Sequence, residues 1–299
     1  MTDINRPSNN RICMVTGATS GIGAATALAL AGKGICTILV GRSQKKCEKV
    51  VNRIRKETDN SSVEYFLADL SSQQEIFHLA GQFRERYQVL DILINNAGAK
   101  FVSRLETADG YEMTFALNHL AYFLLTNLLL DCLNKSEEAR IVNVSSGAHG
   151  ACSGINFDDL HFKEGYVGKE AYAQSKLANL LFTYELSRRL ERTKIAVNAV
   201  TPGGVATNFC RNNGWVSWLK HITAHILARN LVGPAEGAKT SLYVATAPEI
   251  KGVSGRYYAN QKEVRSSRAS HDEEAAKSLW DVSVKLTGLE SSNNRVKNV

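Results

Sequence analysis

The sequence is short of cysteine and proline, and neither shortage fits a secreted or a linker-rich protein. Only four prolines occur in 299 residues, which argues against a long irregular linker. The six cysteines, at positions 13, 36, 47, 132, 152 and 210, show neither the paired spacing of a zinc site nor the density of a disulfide scaffold. We therefore expect reduced thiols and a cytoplasmic location.

Clusters of one charge and long apolar runs are also missing. The net charge is +7, but lysine and arginine are spread along the chain, so we expect no nucleic-acid partner. A basic balance suits a small anionic ligand such as a phosphorylated cofactor, and it leaves peripheral contact with an anionic membrane open. The polar N-terminus predicts no signal peptide. The longest apolar stretch, residues 120–130, is too short to span a bilayer, which predicts a buried helix.

Short apolar segments alternate with longer helical patterns along the chain. This alternation is typical of an α/β fold, here a doubly wound (Rossmann) sheet of seven parallel strands with helices on both faces. The predicted strands are residues 12–16, 36–40, 63–67, 90–94, 141–144, 195–200 and 256–259. The predicted helices are residues 21–33, 43–57, 72–86, 109–134, 171–192, 234–246 and 271–286. We expect a single domain over residues 10–288, a disordered N-terminus over 1–9 and a mobile tail over 289–299.

A glycine-rich turn follows the first predicted strand, because residues 16–23 spell Thr-Gly-Ala-Thr-Ser-Gly-Ile-Gly before a helical segment. Gly17, Gly21 and Gly23 allow a tight turn and a close approach of the backbone to a pyrophosphate, whose charge the helix N-terminus stabilises. A purely structural turn would also favour glycine, and the spacing departs from G-x-G-x-x-G. The strand, turn, helix and second strand within about 30 residues favour a dinucleotide site.

The second predicted strand ends at Gly41-Arg42-Ser43, without the carboxylate that NAD-binding enzymes use for the ribose 2′-hydroxyl. Arg42 would instead pair with a 2′-phosphate, which predicts NADP(H) as the cofactor. The alternative is that Arg42 is a solvated residue at the start of a helix.

Tyr172 and Lys176 stand four residues apart in a predicted amphipathic helix, so they share one helical face. A lysine ammonium there favours the phenolate and lowers the tyrosine pKa towards the working range. Tyr172 could then act as general acid for carbonyl reduction and as base for alcohol oxidation. Without the glycine turn, an ordinary surface pair would explain the spacing as well.

The order of seven motifs resembles the short-chain dehydrogenase/reductase family over nearly the whole chain. The motifs are Thr16-Gly17-x-x-x-Gly21-Ile22-Gly23, Asp69-Leu70, Asn95-Asn96-Ala97-Gly98, Asn118, Val144-Ser145-Ser146, Tyr172-x-x-x-Lys176 and Pro202-Gly203. The resemblance implies that Ser146 hydrogen-bonds the substrate oxygen, that Tyr172 transfers the proton and that Lys176 contacts the nicotinamide ribose. It further implies that Asn118 holds a water of the proton relay. Ser145 is adjacent, but the family's catalytic serine is the second of the two.

The resemblance also implies the cofactor contacts. Asp69 would accept from the adenine amino group, and residues 95–98 would pass beside adenosine, although a purely structural turn explains Asn95 and Ala97 equally well. The implied cofactor-binding residues are Thr16, Gly17, Thr19, Ser20, Gly21, Ile22, Gly23, Arg42, Asp69, Leu70, Asn95, Ala97, Gly98, Tyr172, Lys176, Pro202, Gly203, Val205 and Thr207. The last four look like the segment that fixes the nicotinamide carboxamide.

Within the family, the chain is most similar to the retinol dehydrogenase branch. The phrases at residues 118–120, 172–179 and 279–283 carry this likeness, as does the long insert between Ser146 and Tyr172. The branch uses NADP(H) on retinoids and other lipophilic aldehydes and ketones. Residues at about 205–230 resemble its substrate lid, and Trp215 and Trp218 lie on one apolar helical face there. Core packing or contact with a membrane surface would also explain that face.

No metal site is expected, because His221 and His225 are four apart without an intervening glutamate or a third ligand. The sequence therefore predicts an NADP(H)-dependent oxidoreductase with a lipophilic small-molecule substrate. A sterol or xenobiotic reductase is an alternative within the enzyme class, and a low-turnover nucleotide-sensing protein is one outside it. The presence of Ser146, Tyr172 and Lys176 favours the enzyme. A homodimer stays open.

Overall fold

The computed structural model describes residues 11–203 and 232–289. The predicted N-terminal region 1–9, the predicted lid at about 205–230 and residues 290–299 of the predicted tail lie outside the described residues. The domain boundaries at 10 and 288 stay a prediction.

Within these described ranges, eight strands form one sheet in the order β3-β2-β1-β4-β5-β6-β7-β8. They are β1 Ile12–Thr16, β2 Cys36–Gly41, β3 Val63–Leu67, β4 Ile92–Asn95, β5 Ala139–Val144, β6 Ile195–Thr201, β7 Arg256–Ala259 and β8 Lys262–Glu263. The first seven pair in parallel, and β1 lies between β2 and β4. The winding direction therefore reverses between β1 and β4, and ligands of doubly wound folds bind at the carboxyl ends of strands at such a point.

The predicted doubly wound fold is confirmed, and the described residues add one antiparallel strand at the sheet edge to the seven parallel strands expected. β8 pairs antiparallel with β7, with Ala259 opposite Lys262. The two residues between them, Asn260 and Gln261, have φ values of 49° and 62°, as a two-residue hairpin turn with two left-handed residues requires. Both residues of β8 are exposed, so no apolar alternation marks the strand in the sequence.

The helices cover both faces of the sheet, as predicted. They are α1 Gly21–Ala31, α2 Gln44–Thr58, α3 Gln73–Arg86, α4 Met113–Phe115, α5 Ala121–Asn134, α6 Gly168–Arg189, α7 Pro234–Thr246 and α8 Glu273–Leu286, with a π-helical turn Ala116–Leu120 between α4 and α5. Successive strand side chains point to opposite faces. Met14 of β1 accordingly lies in the apolar cluster under α3, α5 and α6, whereas Val15 lies in the cluster under α1, α2 and α7.

The predicted buried helix around residues 120–130 is confirmed, but its apolar part is longer than the predicted stretch. The helix runs without a break over Met113–Asn134, which is 22 residues and long and apolar enough to cross a membrane by length and composition. Inside the protein, 83% of its apolar window is buried, so it packs as the core helix of the domain. The predicted stretch is too short because Met113, Phe115 and Ala116 extend the apolar run by about two turns towards the N-terminus.

Candidate active site

The glycine turn after β1 has the backbone that the sequence predicted. Gly17 and Gly21 have φ values of 65° and 55°, in the left-handed region that favours glycine. A Cβ on Gly23 would lie 2.5 Å from Asn96 Nδ2, so only glycine allows this close approach. The first turn of α1 carries no acidic side chain, and Ser20 at its N-cap makes no side-chain capping bond. This end of α1 therefore suits an anion.

Asn96 is a functional-site residue that the sequence reasoning did not assign, although it stands in the Asn-Asn-Ala-Gly motif. Its Nδ2 donates to the Thr16 carbonyl at 2.8 Å, and the Thr16 hydroxyl accepts the backbone N–H groups of Asn96 at 2.8 Å and Ala97 at 3.0 Å. These bonds join the turn after β1 to the turn after β4. The signal was available, since strands 1 and 4 lie side by side in the expected doubly wound sheet, and the turns that follow them therefore end close together.

The side chain of Asn95 belongs to the core. It is fully buried, and its Nδ2 donates at 2.9 Å to both Thr126 Oγ1 of α5 and Asn143 Oδ1 of β5. The structural alternative is therefore favoured for this side chain. Leu70 is also buried, within the apolar cluster under α3.

Arg42 and Asp69 lie beside each other at the ends of β2 and β3. The Arg42 side chain is 75% exposed, and its Nη1 lies 3.4 Å from Asp69 Oδ2, which is a long and weak contact. Partial burial opposes ionisation of Asp69, but hydrogen bonds from Ser71 and the Arg42 charge outweigh it and lower the pKa of Asp69. Arg42 is thus exposed enough to meet a ligand. Thr19 and Ile22, in the neighbouring glycine turn, are half-buried.

The two adjacent serines after β5 have different surroundings. Ser145 is buried, and its hydroxyl donates to the Lys176 carbonyl at 2.8 Å. Ser146 is partly exposed, and its Oγ accepts the Ala148 backbone N–H at 3.2 Å. Of the two residues, only Ser146 is partly exposed, which favours the second serine as the one that could meet a substrate.

Lys176 lies at the centre of the site. Its side chain is buried, and its Nζ donates to the Val144 carbonyl at 2.9 Å. The Nζ atom is 5.8 Å from the ring centroid of Tyr172 and 5.6 Å from that of Tyr122. Burial lowers the pKa of Lys176 to about 7. Tyr122 is a second residue that the sequence reasoning missed.

Asn118 is fully buried in the π-helical turn, a type of distortion that is frequent at functional sites. Its amide makes a reciprocal pair with the Ala99 backbone, with both distances 2.9 Å, and its Nδ2 also lies 2.9 Å from Ser175 Oγ. A Cβ on Gly98 would lie 3.1 Å from Asn118 Oδ1 and 3.5 Å from Lys176 Nζ. The predicted catalytic residues Asn118 and Lys176 therefore flank one glycine.

The remaining predicted residues fall at or beyond the end of the first described range. Pro202 and Gly203 follow β6, and Gly203 has a φ of 75°. Val205, Thr207, Trp215, Trp218 and the histidine pair lie outside the described residues. Within residues 11–203 and 232–289, no group of three or more His, Cys, Asp or Glu side chains could hold a metal ion.

Comparison with known proteins identifies the family. The family model for short chain dehydrogenases matches residues 11–214. Human polyprenol dehydrogenase is 41% identical over 290 residues, which cover 95% of this chain and 87% of the relative. Human retinol dehydrogenase 13 is 44% identical over 285 residues, which cover 94% and 86%. The predicted resemblance to retinol dehydrogenases is confirmed.

A solved structure has the same fold and a bound nucleotide. It is a short chain dehydrogenase from Shigella flexneri 2a complexed with NADP, 25% identical, with a TM-score of 0.65 over 85% of this chain and 98% of the other. Sequence, fold and site geometry agree: the chain belongs to the short-chain dehydrogenase family.

Proposed function

We propose that this protein is an NADP(H)-dependent oxidoreductase that transfers a hydride between the nicotinamide and a lipophilic carbonyl/alcohol pair. The observation that carries the proposal is the buried Lys176, with its Nζ fixed on the Val144 carbonyl and 5.8 Å from the Tyr172 ring centroid. Val144 directly precedes the serine pair, so one short segment anchors the lysine and presents Ser146.

Proton transfer is assigned to Tyr172. An ammonium beside a phenol favours the phenolate, which lets the side chain give and take a proton. During reduction, the Tyr172 hydroxyl would donate its proton to the carbonyl oxygen of the substrate, while the Ser146 hydroxyl donates a hydrogen bond to the same oxygen. During oxidation, the phenolate would take the proton of the alcohol. Asn118 would hold the water through which the proton reaches solvent.

The described residues fit a phosphorylated dinucleotide. A bound NADP(H) would supply the hydride acceptor or donor. Residues 17–23 would hold the pyrophosphate, because the N-terminus of α1 carries no acidic side chain to repel it. Arg42 would pair with the 2′-phosphate, and Lys176 would contact the nicotinamide ribose. The NADP in the Shigella flexneri relative supports this choice of cofactor.

The relatives support a lipophilic substrate. The two human relatives are named for retinol and polyprenol, which are both isoprenoid primary alcohols. Trp215 and Trp218 are proposed as substrate contacts, and Val205 and Thr207 as contacts of the nicotinamide. The cytoplasmic location, a peripheral membrane contact and a homodimer stay predictions.

The test is NADPH oxidation by the purified chain across a panel of substrates. Retinal, a polyprenal, medium-chain aldehydes, aromatic ketones and ketosteroids form the panel, and NADH is the control cofactor. We expect turnover of the isoprenoid aldehydes with NADPH. Faster turnover with NADH would contradict the assignment of Arg42, and a chain that binds NADPH but reduces no carbonyl would contradict the proposed function.

Tyr172→Phe tests the assigned proton donor. Loss of a general acid costs about 10² to 10⁴ in rate, so the variant should bind NADPH normally and reduce aldehydes that much more slowly. Tyr65→Phe, on β3 and hydrogen-bonded to Glu48 of α2, is the matched control and should keep its activity. Substantial activity in Tyr172→Phe would remove the proposed mechanism.

A further inference from the structure

His149 joins the turn after β5 to the segment that precedes α8. It is 5% exposed and lies in the short 3-10 helix Gly147–Ala151. Its Nδ1 is 2.6 Å from the Ser146 carbonyl oxygen, and its Nε2 is 3.0 Å from the Ser267 backbone nitrogen. The ring stands edge-on to Tyr257 of β7, with 5.3 Å between the centroids. Both ring nitrogens are therefore engaged with backbone groups.

These contacts determine the tautomer of the ring. The Ser267 backbone N–H can only donate, so Nε2 of His149 accepts and carries no proton. The neutral ring then has its proton on Nδ1, which donates to the Ser146 carbonyl. Burial lowers the pKa of His149 from 6.5, against the opposing effect of the Ser146 bond. The neutral, Nδ1-protonated ring is thus the form present near neutral pH.

The backbone around Ser146 depends on such an anchor. Gly147 and Gly150 flank the turn, and no atom of the described residues lies within 4 Å of where their Cβ atoms would be. Glycines without packing leave the backbone free to move. The Ser146 carbonyl is held by the His149 side chain at 2.6 Å and, less closely, by the His149 backbone N–H at 3.2 Å.

The segment that contains Ser266 and Ser267 is itself hydrogen-bonded to α6, the helix that carries Tyr172. The Ser266 Oγ, next to the residue that donates to His149, lies 2.7 Å from the hydroxyl oxygen of Tyr184 in α6. Hydrogen bonds and one peptide linkage, between Ser266 and Ser267, therefore connect Ser146 through His149 to α6. The segment beside the ring is thus held on the same helix that presents the tyrosine.

We propose that His149 is a positioning residue, whose Nδ1–H holds the Ser146 carbonyl and thereby directs the Ser146 hydroxyl towards the substrate oxygen. The inference rests on the proposed function, since Ser146 matters only if a carbonyl or alcohol reacts there. His149 touches neither substrate nor cofactor in this role. Its effect passes entirely through the serine.

Two near-isosteric substitutions separate the two ends of the ring. Asparagine places an amide N–H close to the position of Nδ1, and glutamine places an amide oxygen close to that of Nε2. His149→Asn therefore keeps the bond to Ser146, and His149→Gln keeps the bond to Ser267. Each variant loses one buried hydrogen bond, so their urea unfolding midpoints should fall by similar amounts.

The rates of the two variants should differ although their stabilities do not. We expect kcat to fall by about tenfold or more in His149→Gln, as misplacement of a reacting group does, and by about threefold or less in His149→Asn. The Kd for NADPH should be unchanged in both. Equal losses of kcat in the two variants, in proportion to their unfolding midpoints, would show a merely structural role and overturn the inference.

Hydrogen exchange gives a readout that needs no turnover. Backbone amides of residues 146–151 should exchange faster in His149→Gln than in His149→Asn or the wild type. Equal exchange in the two variants overturns the inference whatever the rates are. A wild-type chain that binds NADPH but turns over no substrate of the panel overturns the proposed function instead, so the two failures are distinguishable.

Discussion

Lys176 shows how single residues create the chemistry of this site. An ammonium loses hydration when it is buried, and this loss lowers the pKa of Lys176 to about 7. The Val144 carbonyl and the faces of Tyr122 and Tyr172 replace part of the lost hydration. The lysine is therefore held next to the proposed proton donor without a carboxylate among its described contacts.

Replacement of Arg42 tests the choice between NADPH and NADH. Arg42→Asp should raise the Kd for NADPH about tenfold to a hundredfold, because it removes one or two charge-assisted hydrogen bonds to a 2′-phosphate. The affinity for NADH should change little, since NADH has no such phosphate. Fluorescence titration with both nucleotides measures the two effects.

Arg192→Asp is the control for this charge reversal. Arg192 is exposed in the turn before β6, at the amino ends of the parallel strands and so at the opposite end of the sheet from the end of β2. Arg192→Asp makes the same change in net charge as Arg42→Asp and should leave the affinities for NADPH and NADH unchanged. An equal loss of NADPH and NADH binding in Arg42→Asp would show that Arg42 acts on the turn rather than on the phosphate.

Residue types in sequence predicted most of the candidate site, and the exceptions have physical causes. Tyr172 and Lys176 were found because a spacing of four places them on one helical face. Tyr122 was missed because a tyrosine inside an apolar helix cannot be told from a core aromatic residue. Asn95 and Asn96 are chemically identical neighbours, so only their opposite side-chain directions reveal which one braces the glycine turn.

At the scale of elements, the site depends on close contact between two turns. The turn after β1 and the turn after β4 touch where Gly23 meets Asn96. A π-helical turn places Asn118 against the Ala99 backbone, and this fixes the loop that follows the second turn. Two irregular segments are thus held by amide side chains rather than by apolar packing.

Gly23→Ala should disturb the nucleotide turn without unfolding the protein. A Cβ there would lie 2.5 Å from both Asn96 Nδ2 and the Gly17 carbonyl oxygen, and relief of such overpacking costs about 1–3 kcal/mol. If the turn holds the pyrophosphate, the Kd for NADPH should rise about tenfold or more. Titration of the variant with NADPH, after circular dichroism has shown an intact fold, measures the effect.

Gly81→Ala is the matched control, because Gly81 is also a helical glycine. No described atom lies within 4 Å of where its Cβ would be, so the substitution should raise the free energy of unfolding by about 0.5–1 kcal/mol. Its affinity for NADPH should equal that of the wild type. Unchanged binding in Gly23→Ala would mean that the pyrophosphate site has been assigned to the wrong turn.

The apolar pattern predicted every strand except the one that is fully exposed. The predicted limits of β1, β3, β7 and α7 agree with the structure residue for residue. β8 was missed because two exposed residues carry no pattern. The π-helical turn could not be foreseen either, since its extra residue per turn is fixed by the bonds of Asn118 and not by apolar spacing.

At the scale of the whole molecule, α8 ties the C-terminal part of the chain to the helices of the site. His119, next to Asn118, has its Nε2 3.0 Å from Ser283 Oγ of α8. Trp280 of α8 packs edge-on against Phe123, with 4.9 Å between centroids, and under the Arg189 guanidinium at 4.1 Å. The polar contact at His119 is fully buried, so the stability of this junction depends on the charge of one imidazole ring.

That dependence predicts loss of stability in mild acid. Burial lowers the pKa of His119 to about 3, whereas unfolding returns it to its ordinary value of 6.5. Between these values the unfolded chain binds more protons than the folded one, so the free energy of unfolding falls as the pH falls below 6.5. The contribution of His119 is at most about 1.4 kcal/mol per pH unit. Urea unfolding of the wild type at pH 7, 6 and 5 measures the slope.

A non-titrating variant isolates the ring responsible. His119→Asn keeps a polar side chain next to Ser283 and should be less stable than the wild type at pH 7, but its stability should fall less steeply with pH. His149 and His161 also have lowered pKa values, and they contribute equally to both proteins, so their effect cancels in the difference between the slopes. His78→Gln, on the exposed face of α3, is the comparison variant for the loss of one histidine. If His119→Asn has the wild-type slope, then the junction of α8 with the site is not what acid breaks.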